Sequence, residues 1–329
     1  MTEKTRTERT RTEKMRTEMM RTEKMRAVRQ DVLGGPEVLG VVEVERPEPG
    51  PTEVLVRVRA AGVNPTDWKH RAGGGFLGDP PFTLGWDVSG VVEKVGVGVT
   101  LHKPGDEVFG MLRYPFGAGS HAEYVAAPSR TFAAKPSALD HVQAGALPLA
   151  ALTAWQALVD TAGVREGRRV LIHAAAGGVG HLAVQIAKAH GAYVIGTASE
   201  GKHAFLRGLG VDEAIDYRAV DFADVVEDAD IVLDTIGGDY GPRSLRVLRP
   251  GGTLVSLVLS RLTDMDAADV RAETLLVEPD HHALTRIAAL AEAGELRAEI
   301  DSVFPLEEAA RAHERGETGR VTGKIVLTV

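Results

Sequence analysis

The stretch that most constrains the fold covers residues 170–199. It opens with a short apolar run, Val170-Leu171-Ile172, which has the length of a buried strand, and continues into a turn of small residues at 174–180, the glycine turn. After it, apolar residues recur at a spacing that places them on one face of a helix: Val179, Leu182, Ala183, Ile186 and Ala187. Gly191 ends this helix and a second apolar run follows. The stretch therefore predicts a strand–turn–helix–strand unit with the size of one parallel crossover.

The glycine turn predicts a binding site for a dinucleotide. Its small residues let a pyrophosphate approach the backbone, and the helix that follows offers unpaired N–H groups and the positive end of its dipole. The motif departs from the strict G-x-G-x-x-G, because Ala175 stands where the first glycine would be. A tight turn that binds nothing is the alternative, and the strand-to-helix context favours the dinucleotide. The predicted contacts are Ala176, Gly177, Gly178 and Val179.

Composition narrows the class of protein further. The chain has 329 residues, enough for two domains, and its net charge of −8 argues against nucleic acid as a partner. It contains no cysteine, which excludes disulfides, thiolate catalysis and Cys-ligated metal sites. No apolar run is long enough for a membrane span, and the N-terminus lacks the apolar core of a secretory signal. We therefore expect a cytoplasmic protein.

Residues 2–26 form five pentads, TEKTR, TERTR, TEKMR, TEMMR and TEKMR. A period of five matches neither a helix nor a strand, so no face collects apolar residues. We expect a disordered tail over residues 1–24, with the folded chain beginning near Met25. A basic arm that binds a partner and a transit peptide are the alternatives, although the glutamate in every pentad argues against the transit peptide.

The rest of the chain divides into two predicted domains and a C-terminal segment. Short apolar runs separated by glycine and proline predict a β-rich domain over 25–147, with strands at 27–33, 53–61, 88–95, 107–110 and 121–126. Helical patterning begins near 144 and extends through 158. Alternating elements over 148–277 then predict a doubly wound parallel sheet: helices at 202–209 and 245–248, and strands at 214–217, 231–233 and 253–257. Residues 278–329 predict two helices, at 283–293 and 306–315, and a strand at 324–329 that returns to the first domain.

Several motifs occur in the order typical of one family. They are A-A-G-V-N-P-T-D-W-K at 60–69, P-F-T-L-G-W-D-V-S-G-V-V at 81–92, K-P-G-D-E-V-F-G at 103–110, L-T-A-W-Q-A-L at 152–158, D-T-I-G-G at 234–238, L-R-P-G-G-T-L-V at 248–255 and G-K-I-V-L at 323–327. Together with 170–199, they resemble the zinc-independent quinone oxidoreductase branch of the medium-chain dehydrogenase/reductase superfamily. The resemblance implies an α/β protein in which a GroES-like β-rich catalytic domain is joined to a Rossmann domain that binds NADP. It also implies an active site between them and a homodimer.

The resemblance sharpens the argument about metal. Zinc-dependent members carry a cysteine at the position of Asn64 and a His-Glu pair at the position of Trp86-Asp87, so the soft thiolate and the imidazole are both missing. The histidines His102, His121, His281 and His282 show no ligand spacing, and we expect surface or capping roles for them. The sequence predicts no zinc.

The second strand of the 170–199 unit favours NADPH over NADH. NAD-specific folds place a carboxylate at the tip of this strand, whereas here it ends in Thr197-Ala198-Ser199. A hydroxyl followed by Lys202 suits a 2′-phosphate, although Lys202 could be an ordinary exposed residue and Glu200 could repel a phosphate. The resemblance implies contacts from Ser199, Lys202 and Tyr217 to the phosphate or the adenosine. It implies a nicotinamide pocket lined by Thr235, Ile236, Ser256 and Leu257.

The resemblance also implies which residues approach the reacting carbonyl. Asn64 and Thr153 are the main candidates, with the alternative that Asn64 is only a turn residue before Pro65. Lys69 stands where quinone reductases often carry tyrosine. It either binds a substrate carbonyl, as in enoyl reductase-like relatives, or is a solvated lysine. We expect Asp67 to brace the loop rather than donate a proton.

These features predict an enzyme, an NADPH-dependent reductase that transfers hydride to a quinone or an α,β-unsaturated carbonyl without a metal. Two alternatives stay open: reduction of enoyl thioesters of the polyketide or fatty-acid type, and a non-catalytic NADPH-binding protein. The expected partner is a small carbonyl or quinone substrate. The glycine-rich segment 73–78 is either a flap over the cleft or a plain surface loop.

Overall fold

The structure is a computed structural model that describes residues 23–258 and 269–329. Most of the pentad repeats, residues 1–22, lie outside the described residues, and the first strand begins at Lys24. In the parts described, no helix combines the length and the apolar character needed to cross a bilayer.

Three sheets organise the described residues. Their strands are β1 (Lys24–Gln30), β2 (Gly40–Glu45), β3 (Glu53–Val63), β4 (Phe82–Thr83), β5 (Asp87–Val95), β6 (Glu107–Met111), β7 (Tyr124–Pro128), β8 (Phe132–Ala134), β9 (Arg169–Ile172), β10 (Tyr193–Ala198), β11 (Glu213–Asp216), β12 (Ala229–Asp234), β13 (Leu248–Ser256), β14 (Arg271–Thr274), β15 (Ile300–Pro305) and β16 (Lys324–Thr328). The α-helices are α1 (Pro65–Gly73), α2 (His141–Ala146), α3 (Pro148–Trp155), α4 (Gly180–Ala189), α5 (His203–Gly208), α6 (Tyr240–Val247), α7 (His281–Glu292) and α8 (Ala309–Glu317).

The N-terminal half is built around β3, which pairs with β5, β7 and β16. The order of this seven-stranded sheet is β15-β16-β3-β5-β6-β8, with β7 joined to it only through β3, and a second, smaller sheet has the order β2-β1-β4. Consecutive residues of β3 are buried, including Val54, Leu55 and Val56, because the strand has packed neighbours on both faces. The β-rich GroES-like domain is thus confirmed. Its strands β2, β4 and β8 were not predicted from the sequence, and β1 lies about three residues before its predicted position.

The six strands β9–β14 form one parallel sheet with the order β11-β10-β9-β12-β13-β14. The chain runs outward from β9 to β11 and then crosses back to β12, on the other side of β9. This reversal creates a crevice at the carboxyl ends of β9 and β12, where ligands bind in folds of this kind. The prediction of a Rossmann doubly wound sheet is confirmed.

Two local predictions were wrong. The helical stretch expected from 144 to 158 is interrupted, because Pro148 lacks an N–H and begins a new helix, α3, which continues as a π-helical segment, Gln156–Thr161. The helix expected at 245–248 is the end of α6, and Leu248 already belongs to β13. The short apolar run at 245–248 is compatible with a helix or a strand, so the secondary structure there is determined by the contacts with the neighbouring sheet.

The C-terminal segment joins the sheet of the N-terminal half. Strand β16 pairs antiparallel with β3, with Ile325 opposite Val63, and parallel with β15. Asn64 follows β3 directly, and Lys324 begins β16. The pairing therefore brings together two residues that are 260 positions apart in the sequence.

Candidate active site

Asn64 is held at the start of α1 by the side chain of Asp67. The backbone N–H of Asn64 donates to Asp67 Oδ2 at 2.6 Å, and the backbone N–H of Gly85 donates to Asp67 Oδ1 at 3.1 Å. Burial raises the pKa of the Asp67 carboxyl to about 7, while both backbone hydrogen bonds oppose the rise. The expectation that Asp67 braces this loop is confirmed. Asn64 is also the N-cap residue of α1, so its place before Pro65 serves the helix as well.

The side chain of Asn64 belongs to a buried ring of three residues, Asn64, Asp87 and Lys324. Asn64 Nδ2 donates to Asp87 Oδ2 at 2.8 Å, and Lys324 Nζ donates to Asn64 Oδ1. Lys324 Nζ also lies 3.5 Å from Asp87 Oδ2. All three residues are at most 3% exposed. Burial raises the pKa of Asp87, and the Lys324 ammonium acts in the opposite direction. The ring fixes which way the Asn64 amide faces.

Two further contacts tie the buried ring to its surroundings. The second carboxylate oxygen, Asp87 Oδ1, accepts from the backbone N–H of Leu149 at 2.6 Å. A methyl group at Gly62 would overlap Asp87 Oδ2, so β3 needs a residue without a side chain at that position. Both oxygens of the Asp87 carboxylate therefore already accept hydrogen bonds.

Thr153 lies one helical turn beyond Leu149 on α3. Its hydroxyl donates to the Leu149 carbonyl at 2.7 Å, and the residue is 6% exposed. Through Leu149 the structure thus links Thr153 to the buried ring that contains Asn64. Lys69 is different, because it lies exposed on α1 and makes none of these contacts. Its position matches the solvated alternative.

The glycine turn lies beside the buried ring. The N–H of Gly323 donates to the Ala176 carbonyl at 3.0 Å, and a methyl group at Gly178 would lie 3.5 Å from Lys324 Cδ. Gly180 is the tightest position, because a methyl group there would overlap the Ala174 carbonyl oxygen. The turn at the start of α4 is therefore a cradle that is tightly packed at Gly180 and more open at Gly178, which fits the approach of a pyrophosphate at the open positions.

Residues predicted for the adenosine end follow two neighbouring parallel strands. Ser199 comes directly after β10 and Tyr217 directly after β11. Lys202 Nζ donates to the Val321 carbonyl at 2.9 Å, and burial lowers the pKa of its ammonium. Arg218, which the sequence analysis missed, places its guanidinium carbon 5.5 Å from the centre of the Tyr217 ring. Two cations and an exposed aromatic ring thus meet at this edge.

Residues predicted for the nicotinamide end follow β12 and β13. Thr235 donates its hydroxyl to the His173 carbonyl at 2.9 Å, and the N–H of Leu257 donates to the Asp234 carbonyl at 2.9 Å. Ser256 is fully buried at the end of β13, whereas Ile236 is 41% exposed. These four residues lie at the carboxyl ends of adjacent strands, next to the crevice.

The expectation of surface or capping roles for the histidines was wrong for His121. That residue is fully buried, with its ring centre 6.1 Å from the ring of His313. Burial lowers the pKa of His121 to about 4 and that of His313 to about 2. His102 and His281 each bond one backbone carbonyl, and His282 is exposed. Nothing in the local sequence distinguishes His121, because its burial depends on α8 packing over it.

The residues at the zinc position of the family do not fit a zinc ion. Asn64 and Trp86 offer neither a thiolate nor an imidazole, and both oxygens of Asp87 are engaged by Asn64 and Leu149. Across residues 23–258 and 269–329, no group of three or more His, Asp or Glu side chains is arranged to hold a metal.

The roles of Asp87 and Lys324 were not predicted from the sequence. A signal for Lys324 exists, because a lysine at the head of the apolar strand 324–328 must find a partner if the strand is buried. The partner could not be identified, since Asp87 is 237 positions away in the sequence.

Comparisons with known proteins agree with this architecture. Residues 50–137 match the model of the alcohol dehydrogenase GroES-like domain, and residues 209–327 match a model described as zinc-binding dehydrogenase. The mitochondrial NAD(P)H oxidoreductase RTN4IP1 of Mus musculus is 35% identical, over 85% of this chain and 82% of the relative.

Two solved structures show the same similarity. The quinone oxidoreductase of Coxiella burnetii is 40% identical with a TM-score of 0.88, over 93% of this chain and 100% of that one. The Escherichia coli quinone oxidoreductase complexed with NADPH is 28% identical with a TM-score of 0.84, over 92% and 100%. The chain belongs to the quinone oxidoreductase branch of the medium-chain dehydrogenase/reductase superfamily.

Proposed function

We propose that the protein is an NADPH-dependent reductase that transfers hydride to a quinone or an α,β-unsaturated carbonyl without a metal. The observation that carries this proposal is the contact between the glycine turn and the buried ring. Gly323 bonds Ala176 while its neighbour Lys324 bonds Asn64, so a dinucleotide cradle and a polar buried cluster share one wall. A cofactor bound along this wall would extend from the turn toward Asn64 and Thr153.

The glycine turn is proposed to bind the pyrophosphate of the cofactor through Ala176, Gly177, Gly178 and Val179. The aliphatic part of the Lys324 side chain lies against this turn at Gly178, while its ammonium is engaged by Asn64 and Asp87, so the backbone N–H groups at the start of α4 are proposed to bind the anion. The name of the Escherichia coli relative, a complex with NADPH, supports the same cofactor.

The preference for NADPH is proposed to come from Ser199, Lys202, Tyr217 and Arg218. Lys202 follows β10 and Arg218 follows β11, so two positive charges lie at the sheet edge that carries Ser199, and no carboxylate stands at the tip of β10. Glu200 is exposed. A 2′-phosphate would find charge-assisted donors at this edge, where it would compete with the Val321 carbonyl for Lys202, whereas NADH offers these donors no anion.

Bound NADPH would supply the hydride. The protein's part is to orient the acceptor and to stabilise the negative charge that develops on its oxygen. The Asn64 amide has two N–H donors, one of which is used by Asp87, so the second is available to an acceptor oxygen. The ammonium of Lys324, which donates to Asn64 Oδ1, favours that charge electrostatically, and Thr153 is tied to the same cluster through Leu149. We assign Lys69 no step, because it is exposed.

The test is NADPH oxidation measured with a quinone, an enone and a crotonyl thioester side by side, and repeated with NADH. We expect turnover of the quinone or the enone, a lower KM for NADPH than for NADH, and unchanged rates after treatment with a chelator. Turnover of the thioester alone would support an enoyl-thioester reductase instead. Tight NADPH binding without turnover of any acceptor would support a non-catalytic binding protein.

We also propose the domain boundaries, the oligomeric state and the location of the protein. The chain is divided into a catalytic domain at 25–147, a Rossmann domain at 148–277 and a C-terminal segment at 278–329, and the protein is a cytoplasmic homodimer. The name of the Mus musculus relative gives a mitochondrial location for that protein. Size-exclusion chromatography with light scattering and cell fractionation test the last two.

A further inference from the structure

Two buried side chains of α4 reach the segment that precedes β15. They are His181 and Gln185, one helical turn apart. The side-chain amide of Gln185 donates to the Arg297 carbonyl and accepts from the Arg297 N–H, each at 3.0 Å. His181 Nε2 accepts from the backbone N–H of Glu299 at 3.1 Å. The helix that follows the glycine turn is therefore fixed to residues 297–299 by both side chains.

The two nitrogens of the His181 imidazole have opposite roles. Nδ1 lies 2.8 Å from the Gly177 carbonyl oxygen, which can only accept, so Nδ1 carries the proton and donates. Nε2 then keeps a lone pair for the N–H of Glu299. Burial lowers the pKa of His181 to about 4, so the imidazole is neutral at neutral pH. One side chain thus joins the glycine turn to Glu299.

The connection continues from Glu299 to the buried ring. The Glu299 carbonyl accepts from the backbone N–H of Lys324 at 2.8 Å, and Lys324 Nζ donates to Asn64 Oδ1. A chain of hydrogen bonds therefore runs from the glycine turn through His181, Glu299 and Lys324 to the Asn64 amide. We call it the His181 link.

The residue before Lys324 makes a second connection to the same turn. Gly323 donates its N–H to the Ala176 carbonyl at 3.0 Å, and its φ of 75° favours glycine. A methyl group at Gly323 would lie 2.2 Å from the Glu299 carbonyl oxygen, so the two segments are in direct contact. The backbone at Lys324 is thus held from the glycine turn on both sides.

We propose that His181 is a positioning residue for hydride transfer, which fixes the glycine turn and Asn64 relative to each other. The inference rests on the proposed function, in which the turn holds the cofactor and Asn64 binds the acceptor oxygen. The rate of hydride transfer depends on the distance and the angle between the two bound molecules, and a displacement of about 1 Å can lower it about a hundredfold. Loss of the His181 link should therefore slow the chemical step more than it weakens the binding of either molecule.

Substitutions at His181 can remove the two bonds of its imidazole separately. The amide nitrogen of asparagine takes the place of Nδ1 and can keep the bond to Gly177. The amide oxygen of glutamine takes the place of Nε2 and can accept from Glu299. His181→Leu keeps neither bond. These three variants therefore distinguish the bond within the turn from the bond that leads to Lys324.

The measurement is single-turnover oxidation of NADPH in a stopped-flow instrument, with saturating 1,4-benzoquinone or 3-penten-2-one. The rate should fall about tenfold to a hundredfold in His181→Leu and His181→Asn, and stay within about threefold of the native rate in His181→Gln. Gln185→Met removes the bonds to Arg297 and tests the same contact without altering His181. Its rate should fall about threefold to tenfold, because the bond from Glu299 to His181 remains.

Binding measurements separate positioning from the loss of either binding site. The Kd for NADPH and the KM for the acceptor should change less than about threefold in these variants, because the groups that bind each molecule are still present. His190→Leu is the matched control. His190 Nδ1 also bonds a carbonyl one turn earlier, that of Ile186, and within the described part of the chain it has no hydrogen bond to residues 297–299. The rate of this variant should equal the native rate.

Three results would overturn the inference. Native rates in both His181→Leu and Gln185→Met would show that the pairing of β15 with β16 is enough to place Lys324. A native rate in His181→Asn combined with a loss in His181→Gln would show that only the bond to Gly177 matters. A higher Kd for NADPH with an unchanged single-turnover rate would assign His181 to cofactor binding.

The outcome also distinguishes this inference from the function on which it rests. Turnover by the native protein with unchanged rates in the variants would refute the positioning role of His181 and leave the reductase intact. No oxidation of NADPH by the native protein with any acceptor would refute the reductase itself, and the role of His181 with it.

Discussion

The glycine turn and the buried ring are neighbours in space, but they are built in opposite ways. The turn is a single run of seven residues, 174–180, whose shape comes from backbone conformation and from missing side chains. The ring joins Asn64 to Asp87, which is 23 positions away in the sequence, and to Lys324, which is 260 positions away. It depends on hydrogen bonds and charges among fully buried side chains. A local motif can thus be recognised in one stretch of sequence, whereas a cluster formed by distant residues becomes visible only in the folded chain.

The two regions should therefore fail in different ways when they are altered. Damage to the ring should reduce stability, because it leaves a buried charge without its partner. A side chain added at Gly178 of the turn should reduce cofactor binding and leave stability unchanged, because it would meet only ordinary contacts in the folded chain.

The largest effect is expected from Lys324→Met. It removes the ammonium and leaves the Asp87 carboxyl buried, so the free energy of unfolding should fall by about 3–5 kcal/mol in urea denaturation. The double variant Asp87→Asn/Lys324→Met removes both charges and should recover most of this loss. A single variant as stable as the native protein would show that the ring does not contribute to stability.

A large effect on binding is expected from Gly178→Asp. A carboxylate in the cradle repels the pyrophosphate, so the Kd for NADPH in a fluorescence titration should rise about a hundredfold, with the Tm unchanged. Gly178→Asn has nearly the same size without the charge and should weaken binding less. Gly208→Asp adds the same charge at an open, exposed position and should have no effect. Equal affinities in all three variants would place the cofactor elsewhere.

A smaller effect is expected from Lys202→Ala. Loss of one charge-assisted hydrogen bond to the 2′-phosphate should raise the Kd for NADPH about tenfold and leave the Kd for NADH unchanged. Lys202→Arg keeps the charge and should retain most of the affinity. If the alanine variant weakened both cofactors equally, Lys202 would act through its bond to the Val321 carbonyl and not through a phosphate.

The smallest effect concerns acid stability in the β-rich half. The pKa of His121 is about 4 in the folded protein, below the ordinary 6.5, so the unfolded chain takes up this proton first as the pH falls. This contribution to stability is complete above pH 6.5 and is lost as the pH falls through the folded pKa. The variant His121→Leu cannot take up this proton. When the pH is lowered from 7.5 to 6, its free energy of unfolding should therefore fall by about 1 kcal/mol less than that of the native protein.

Urea denaturation at these two pH values measures the difference. His282→Leu replaces an exposed imidazole and serves as the matched control, with the pH dependence of the native protein. The same loss in His121→Leu and in the native protein would contradict the assignment of this proton to His121.

Much of the fold could be predicted because its signals are local. The strand before the glycine turn, the spacing of apolar residues in α4 and Gly191 after it specify one crossover, and its repetition gives the parallel sheet. Boundaries were less predictable where short apolar runs fit two elements, as at Leu248, or where a proline begins a new helix, as at Pro148.

The candidate site could be predicted in part. Motif resemblance pointed to Asn64 and Thr153, and the structure links both to one cluster through Leu149. Lys324 and His121 were not recognised, because the burial of a polar residue depends on strands and helices that arrive from elsewhere in the chain. The two alternatives for Lys69, a substrate-binding residue or a solvated lysine, stayed open for the same reason, since the exposure of one residue on α1 cannot be predicted from its type alone.

The position of β16 in the sheet has a consequence for synthesis of the protein. Strand β3 emerges from the ribosome early, but its partner β16 follows only after all the strands of the parallel sheet have been made. Until then residues 60–63 of β3 lack their partner on this edge, whose first part is paired with β7, and Asn64 and Asp87 lack their lysine. A nascent chain that stalls before residue 324 would expose that edge to other chains, so we expect translation pauses in this interval to be the main source of aggregation.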